Sequence, residues 1–224
     1  MGYAPENTLK SFIRAMELGA PWVEADVYYV DNHLLVMHDE RLERTTNGKG
    51  RLSDKSFTYL RSLDAGEGEK IPTLDELLDL IEGKAGINIE LKGPGTAAPV
   101  AGLIQKKVKG AWKLENFLVS SFDHNAITEV RNLDARIPIG VLLDGFPGNY
   151  PEIAEKLKAF SVNQRIGFVN EAFVKDAHYR GLKVFVYTVN DPDDIRRMED
   201  MGVDGVFTNY PDRVLALNKE TFKK

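Results

Sequence analysis

The sequence predicts a parallel α/β fold, with a (β/α)8 TIM-type barrel and a doubly wound sheet as the two arrangements of its units. Short β-branched runs recur along the chain, each followed by a polar residue and an amphipathic helix. The runs are continuously apolar, as strands buried on both faces are. Seven such units fit in 224 residues, a length that suits one large domain, so residues 1–224 are read as a single unit.

Taken in order, the chain opens on a turn, residues 2–6, that feeds directly into a helix. Leu9, Phe12, Ile13 and Met16 keep the helical apolar spacing there, and Gly19 is placed to stop it. In a βα repeat such a turn follows a strand, so a first barrel strand is expected upstream of residue 1. The strand runs that follow lie at 22–27, 87–91, 117–121, 137–143, 160–163, 183–189 and 204–208. Between the first two of these, residues 28–70 form an excursion too long for an ordinary connection. Asp31 and Asn32 read as a hairpin turn, residues 34–37 as the returning strand and residues 56–63 as a short helix. An insertion after a barrel strand lies on the catalytic face, because barrel enzymes build their sites from βα loops. Thr73 with Glu76 makes a capping box for a helix burying Leu74, Leu77, Leu78 and Ile81. Asp191 before Pro192 opens another helix as N-cap and first-turn proline.

Bulk properties narrow the function. A net charge of −5 argues against a nucleic-acid partner, whose footprint is a basic face. Zero cysteines exclude thiolate metal sites and a cysteine nucleophile. No apolar run reaches membrane-spanning length and no leader pattern opens the chain, so a cytoplasmic location without stable membrane insertion is the default expectation. Nucleotide-binding glycine loops and the G-x-S-x-G elbow are absent. The segment from Thr45 to Gly50 is glycine-containing but most simply a surface turn.

The chemistry concentrates at a few positions. Glu24 and Asp26 alternate with apolar residues, so both project to one face of their strand. Two carboxylates side by side are costly unless a cation or a shared proton relieves them, or a solvated strand end with a basic neighbour does. Glu90 and Lys92 repeat the arrangement on the next strand, adding a third carboxylate and a cation. Three converging carboxylates suit a hard divalent ion, Mg²⁺ or Ca²⁺. Lys92 is placed to neutralise a phosphate oxygen or simply to pair with Glu90. His38 closes the hairpin strand and has the intrinsic basicity for proton transfer, although a lone histidine is more often structural. His33 falls in the turn region, and His124 and His178 fall in helical stretches.

In order along the chain stand Ala4-Pro5-Glu6-Asn7-Thr8, Glu24-Ala25-Asp26, His38-Asp39, Arg44-Thr45-Thr46-Asn47-Gly48, Ile71-Pro72-Thr73-Leu74 and Glu90-Leu91-Lys92. Ser120-Ser121-Phe122, Tyr187-Thr188-Val189-Asn190 and Gly202-Val203-Asp204-Gly205 follow. Together these resemble the glycerophosphodiester phosphodiesterase family in its bacterial cytoplasmic form, over essentially the whole chain. The resemblance implies a (β/α)8 barrel with a small insertion after the second strand, here residues 28–70. It implies metal-dependent hydrolysis of small glycerophosphodiesters to glycerol 3-phosphate and an alcohol. Glu24, Asp26 and Glu90 match the family's metal ligands, His38 one of its two catalytic histidines, and Lys92 a residue near the phosphate. Glu6, Phe122 and Tyr187 are carried over as substrate-binding positions, with Tyr187 standing where the family often has Trp.

The family's first strand ends in His-Arg-Gly, and no such motif precedes Ala4 in this sequence. That strand, a catalytic histidine and an arginine are therefore expected to be missing from this chain. An impaired enzyme, or a barrel that binds glycerophosphodiesters without turnover, is the alternative expectation. An open sheet edge favours self-association, so a homo-oligomer is compatible with this reading.

Overall fold

The computed structural model describes residues 2–145 and 150–221. All seven expected parallel strands form, and the excursion adds an eighth, antiparallel one. The strands are β1 (Trp22–Val30), β2 (His33–Val36), β3 (Gly86–Leu91), β4 (Phe117–Ser121), β5 (Ile139–Leu143), β6 (Ser161–Arg165), β7 (Lys183–Tyr187) and β8 (Gly205–Val206). They make one curled sheet in the order β2-β1-β3-β4-β5-β6-β7-β8. Nine helices accompany it among the described residues: α1 (Leu9–Glu17), α2 (Phe57–Ser62), α3 (Leu74–Ile81), α4 (Ala97–Lys107), α5 (His124–Leu133), α6 (Tyr150–Lys156), α7 (Glu171–Tyr179), α8 (Pro192–Met201) and α9 (Pro211–Thr221).

Alternation along the strands decides what faces where. Val23, Ala25 and Val27 of β1 and Ile87, Ile89 and Leu91 of β3 join the main core with Leu74, Leu78, Val100 and Ile104 of the helices. The residues between them, Glu24, Asp26, Asn88 and Glu90, must point the other way, into the barrel. The same face carries Ser120 on β4 and Ser161 and Asn163 on β6, all fully buried. Among the described residues no ladder joins β8 to β1, the place that sequence reasoning gives to a first strand. Both residues of β8 are only half-buried, whereas every residue of β4 and β5 is buried.

Local signals act where the sequence places them. Thr8 caps α1, and Gly19 leaves it with φ +90°. Thr73 and Glu76 form the reciprocal capping box of α3, and Asp191 caps α8 with Pro192 in its first turn. Two readings shift. Ile13 keeps the apolar spacing yet is 41% exposed, the buried stripe being carried by Phe12 with Leu9 and Met16 beside it. His33 lies in β2, paired with Val30, and its ring stacks on Phe57 at 3.6 Å. The turn before it is tight, with Asp31 at φ 50° and Asn32 at φ 61°, conformations that Asn and Asp tolerate.

The excursion has a small core of its own. Val30, Leu35, Met37, Leu42, Leu52, Leu60, Leu63, Ala65 and Ile71 pack together apart from the main core. Gly48, in the segment sequence reasoning takes as a turn, is buried here, and a side chain there would meet Leu63 at 2.6 Å. Arg61 of α2 ties this unit to α3 through two bonds to Glu76, at 2.6 and 2.9 Å, and one to the Ile71 carbonyl. Leu60 has no exposed area. Leu60→Ala should therefore cost about 2–5 kcal/mol in urea denaturation, and a loss under about 0.5 kcal/mol would contradict a packed excursion.

Candidate active site

Parallel register brings the acidic residues together. Asp26 stands opposite Glu90 and Glu24 opposite Asn88 across the β1–β3 ladder. One carboxylate oxygen each from Glu24, Asp26 and Glu90 lie within 4.8 Å of one another. Asp26 is 3% exposed, and Glu24 Oε1 is buried with no hydrogen-bond partner. Burial first, then the charges of Asp26 and Glu90, hold the Glu24 carboxyl well above the usual carboxylate range. Glu90 is raised as well, by burial and by Asp26.

Two neighbours partly relieve this repulsion. Lys92 Nζ lies 2.9 Å from Glu90 Oε1 and 3.5 Å from Asp26 Oδ1. Burial works against the Lys92 charge, but Glu90 and Asp26 outweigh it and raise its pKa. Asn7 donates to Asp26 Oδ2 at 3.0 Å from the turn before α1, where its φ is 54°. Sequence reasoning assigns Asn7 no role. Its signal was an asparagine, a residue that tolerates left-handed backbone, one place before the Thr8 cap.

The other predicted residues fall into two groups. His38 follows β2, half exposed, with Nδ1 at 2.6 Å from Asp39 Oδ1. Glu6 lies close by, and both of its oxygens accept from Arg44. Glu6, Asn7, His38, Thr45 and Thr46 line a small cleft where the excursion meets the entry to α1. Across the barrel, Phe122 follows β4, 45% exposed, with its ring edge-on to Tyr187 at 6.0 Å. Tyr187 ends β7 and donates its hydroxyl to the Leu143 carbonyl at 2.5 Å, and burial pushes its pKa up. Both aromatics thus stand at the C-terminal ends of strands, as Lys92 does just after β3. Of the remaining histidines, His178 bonds Asp204 at 2.8 Å, beside the start of β7 and so at the opposite end of the barrel.

The donor set fits a divalent cation. Three carboxylates offer hard oxygen ligands, and one of them, Glu24, has a buried oxygen without a partner, the kind of atom a cation satisfies.

A curled sheet whose parallel strands gather three carboxylates and a lysine toward their C-terminal ends, with an exposed histidine nearby, has the layout of a barrel enzyme's site. Comparison with known proteins narrows the class. The family model described as Glycerophosphoryl diester phosphodiesterase family matches residues 1–213. A glycerophosphodiester phosphodiesterase of Caldanaerobacter subterraneus is 36% identical over 95% of this chain and 92% of its own length. One from Bacillus subtilis is 33% identical over 94% and 81%. Among solved structures, an Oleispira antarctica phosphodiesterase in complex with the product sn-glycerol-3-phosphate matches with a TM-score of 0.88 at 31% identity, covering 96% of this chain and 92% of that one. The chain belongs to the glycerophosphoryl diester phosphodiesterase family, and so to the phosphoric diester hydrolases.

The raised Glu24 pKa has a stability consequence with a definite sign. The folded state binds this proton more tightly than the unfolded chain does, so stability falls as pH rises. The loss starts near the unfolded Glu value of about 4.3 and is complete above the raised folded value. Cation-free wild type and Glu24→Gln should therefore diverge in denaturation free energy as pH rises, with the variant the more stable at the alkaline end. Parallel curves would contradict the repulsion described here.

Proposed function

We propose that this protein hydrolyses glycerophosphodiesters to glycerol 3-phosphate and an alcohol, with Mg²⁺ or Ca²⁺ held by Glu24, Asp26 and Glu90. The observation that carries the reading is the meeting of three carboxylate oxygens within 4.8 Å, beside a Glu24 carboxylate that keeps one buried oxygen without a partner. When bound, the cation supplies positive charge to the phosphoryl oxygens.

The chain's own residues supply the rest. Glu24, Asp26 and Glu90 fix the charge at the barrel mouth, and Asn7 orients Asp26 through its amide. Lys92, already drawn to Glu90 and Asp26, offers its ammonium to a phosphate oxygen as negative charge grows there. His38 exchanges a proton with the reacting oxygens, a role that needs an accessible imidazole. The P–O bond to the alcohol breaks, water supplies the new P–O bond, and its proton goes to the departing alkoxide. Phe122 and Tyr187 wall the mouth on the far side, and Glu6 borders it near His38. The mouth suits small hydrophilic diesters, because the apolar side chains of the excursion are spent on its own core. No described helix is long and apolar enough to cross a membrane.

The test is release of glycerol 3-phosphate from glycerophosphocholine and glycerophosphoethanolamine with Mg²⁺, Ca²⁺ or chelator. Cation-dependent release is expected, and Asp26→Asn should lower it by about 10²-fold or more. Cation-dependent binding of the diester with no release would favour the binding-barrel alternative, and release unaffected by chelator would contradict the metal site.

A further inference from the structure

His38 and three charged residues, drawn from two separated segments, form one chain of contacts beyond the proton exchange already given to His38. His38 Nδ1 lies 2.6 Å from Asp39 Oδ1. Arg44 reaches both oxygens of Asp39, Nε to Oδ2 at 2.5 Å and a terminal nitrogen to Oδ1 at 2.9 Å. The same guanidinium donates to both oxygens of Glu6, at 2.8 and 2.6 Å. One planar fork thus spans two carboxylates, a geometry that lysine's point charge does not reproduce. Glu6 belongs to the turn before α1, whereas His38, Asp39 and Arg44 all lie in the excursion, after β2.

The chemistry of this arrangement is directional. An ionised carboxylate can only accept, so the Nδ1 facing Asp39 must carry the proton when the imidazole is neutral. The other ring nitrogen, Nε2, is then the basic one, and it makes no hydrogen bond among the described residues. We infer that Asp39 is a positioning residue that fixes the Nδ1–H tautomer of His38 and leaves Nε2 to take the proton, and that Arg44, anchored on Glu6, holds Asp39 in place. Its consequence for catalysis rests on the hydrolysis reading; the tautomer itself does not. The Arg44 bonds hold the Asp39 carboxyl down to about 2, so Asp39 remains an acceptor wherever His38 is neutral. The network gives Arg44 and Asp39, two residues quoted in the sequence pattern without a role, a common task. It also gives Glu6 the part of anchoring the excursion's arginine beside the histidine.

Two readouts test this on the full chain. In ¹⁵N-histidine-labelled protein, at a pH above the histidine titration, long-range ¹H–¹⁵N correlations report which ring nitrogen carries the proton. The His38 signals are identified by their loss in His38→Asn. The expected result is Nδ1–H in wild type, a shift to Nε2–H in Asp39→Ala, and a mixture in Arg44→Met that Arg44→Lys partly corrects. Finding Nε2–H in wild type, or Nδ1–H retained in Asp39→Ala, would overturn the inference. Wild type alone decides the first point should a variant not fold. In diester hydrolysis, Asp39→Ala should lower kcat by about tenfold or more with KM little changed. A change in KM alone would also overturn it. Absence of hydrolysis in wild type would count against the hydrolysis reading, while the tautomer spectrum would still decide this one.

Discussion

The repulsion among Glu24, Asp26 and Glu90 is the constraint around which the rest of this molecule is arranged. It originates in backbone geometry. Parallel pairing of β1 with β3 sets Asp26 beside Glu90, and strand alternation keeps Glu24 on the same side. The apolar residues between them cannot yield this register, because a slip of one residue would turn Val23, Ala25 and Val27 into the barrel and the carboxylates into the core. Burial of Ile87, Ile89 and their neighbours therefore holds the acidic cluster together against its own charge. Lys92 and Asn7 offset part of the cost, yet Glu24 Oε1 remains without a partner. The repulsion within this cluster is of the kind that a bound cation would relieve.

The excursion after β1 supplies the other half of the site. Its core is separate and small, so its position relative to the barrel depends on a few directed contacts. Arg61 to Glu76 fixes it against α3, and Arg44 to Glu6 fixes it against the entry to α1. Both are forked arginine–carboxylate pairs, which set orientation as well as distance. The consequence is that His38, though exposed and on a strand end, is not free to wander. In the proposed reading the barrel presents charge and the excursion presents the proton-transfer group, with two arginines holding them in register.

Much of this was legible in the sequence because it depends on short-range rules. Alternation placed Glu24 with Asp26 and Glu90 with Lys92, and the capping signals at Thr73 and Asp191 marked helix starts. The seven parallel strands were visible as apolar runs, with ends that moved by a few residues. What was not legible depends on contacts between distant segments. Arg44 and Glu6 are 38 residues apart, and nothing local to either says that they meet. Asn7 on Asp26 is a similar case. The polar interior layer of Asn88, Ser120, Ser161 and Asn163 is hidden for another reason: single polar residues inside apolar runs read as strand ends or noise until the sheet curls around them. Ile13 shows the converse, an apolar residue on the right spacing whose side chain meets solvent.

Glu24, Asp26 and Glu90 are proposed to act as one cation site, in which burial and mutual repulsion favour a proton on Glu24 when no ion is bound. Isothermal titration of the cation-free protein with Mg²⁺ and Ca²⁺, repeated in buffers of different ionisation enthalpy, tests it most directly. Saturable binding of a single ion accompanied by proton release is expected, with both lost together in Glu24→Gln. Binding that survives in the variant, or that releases no proton, would place the cation elsewhere and overturn this assignment.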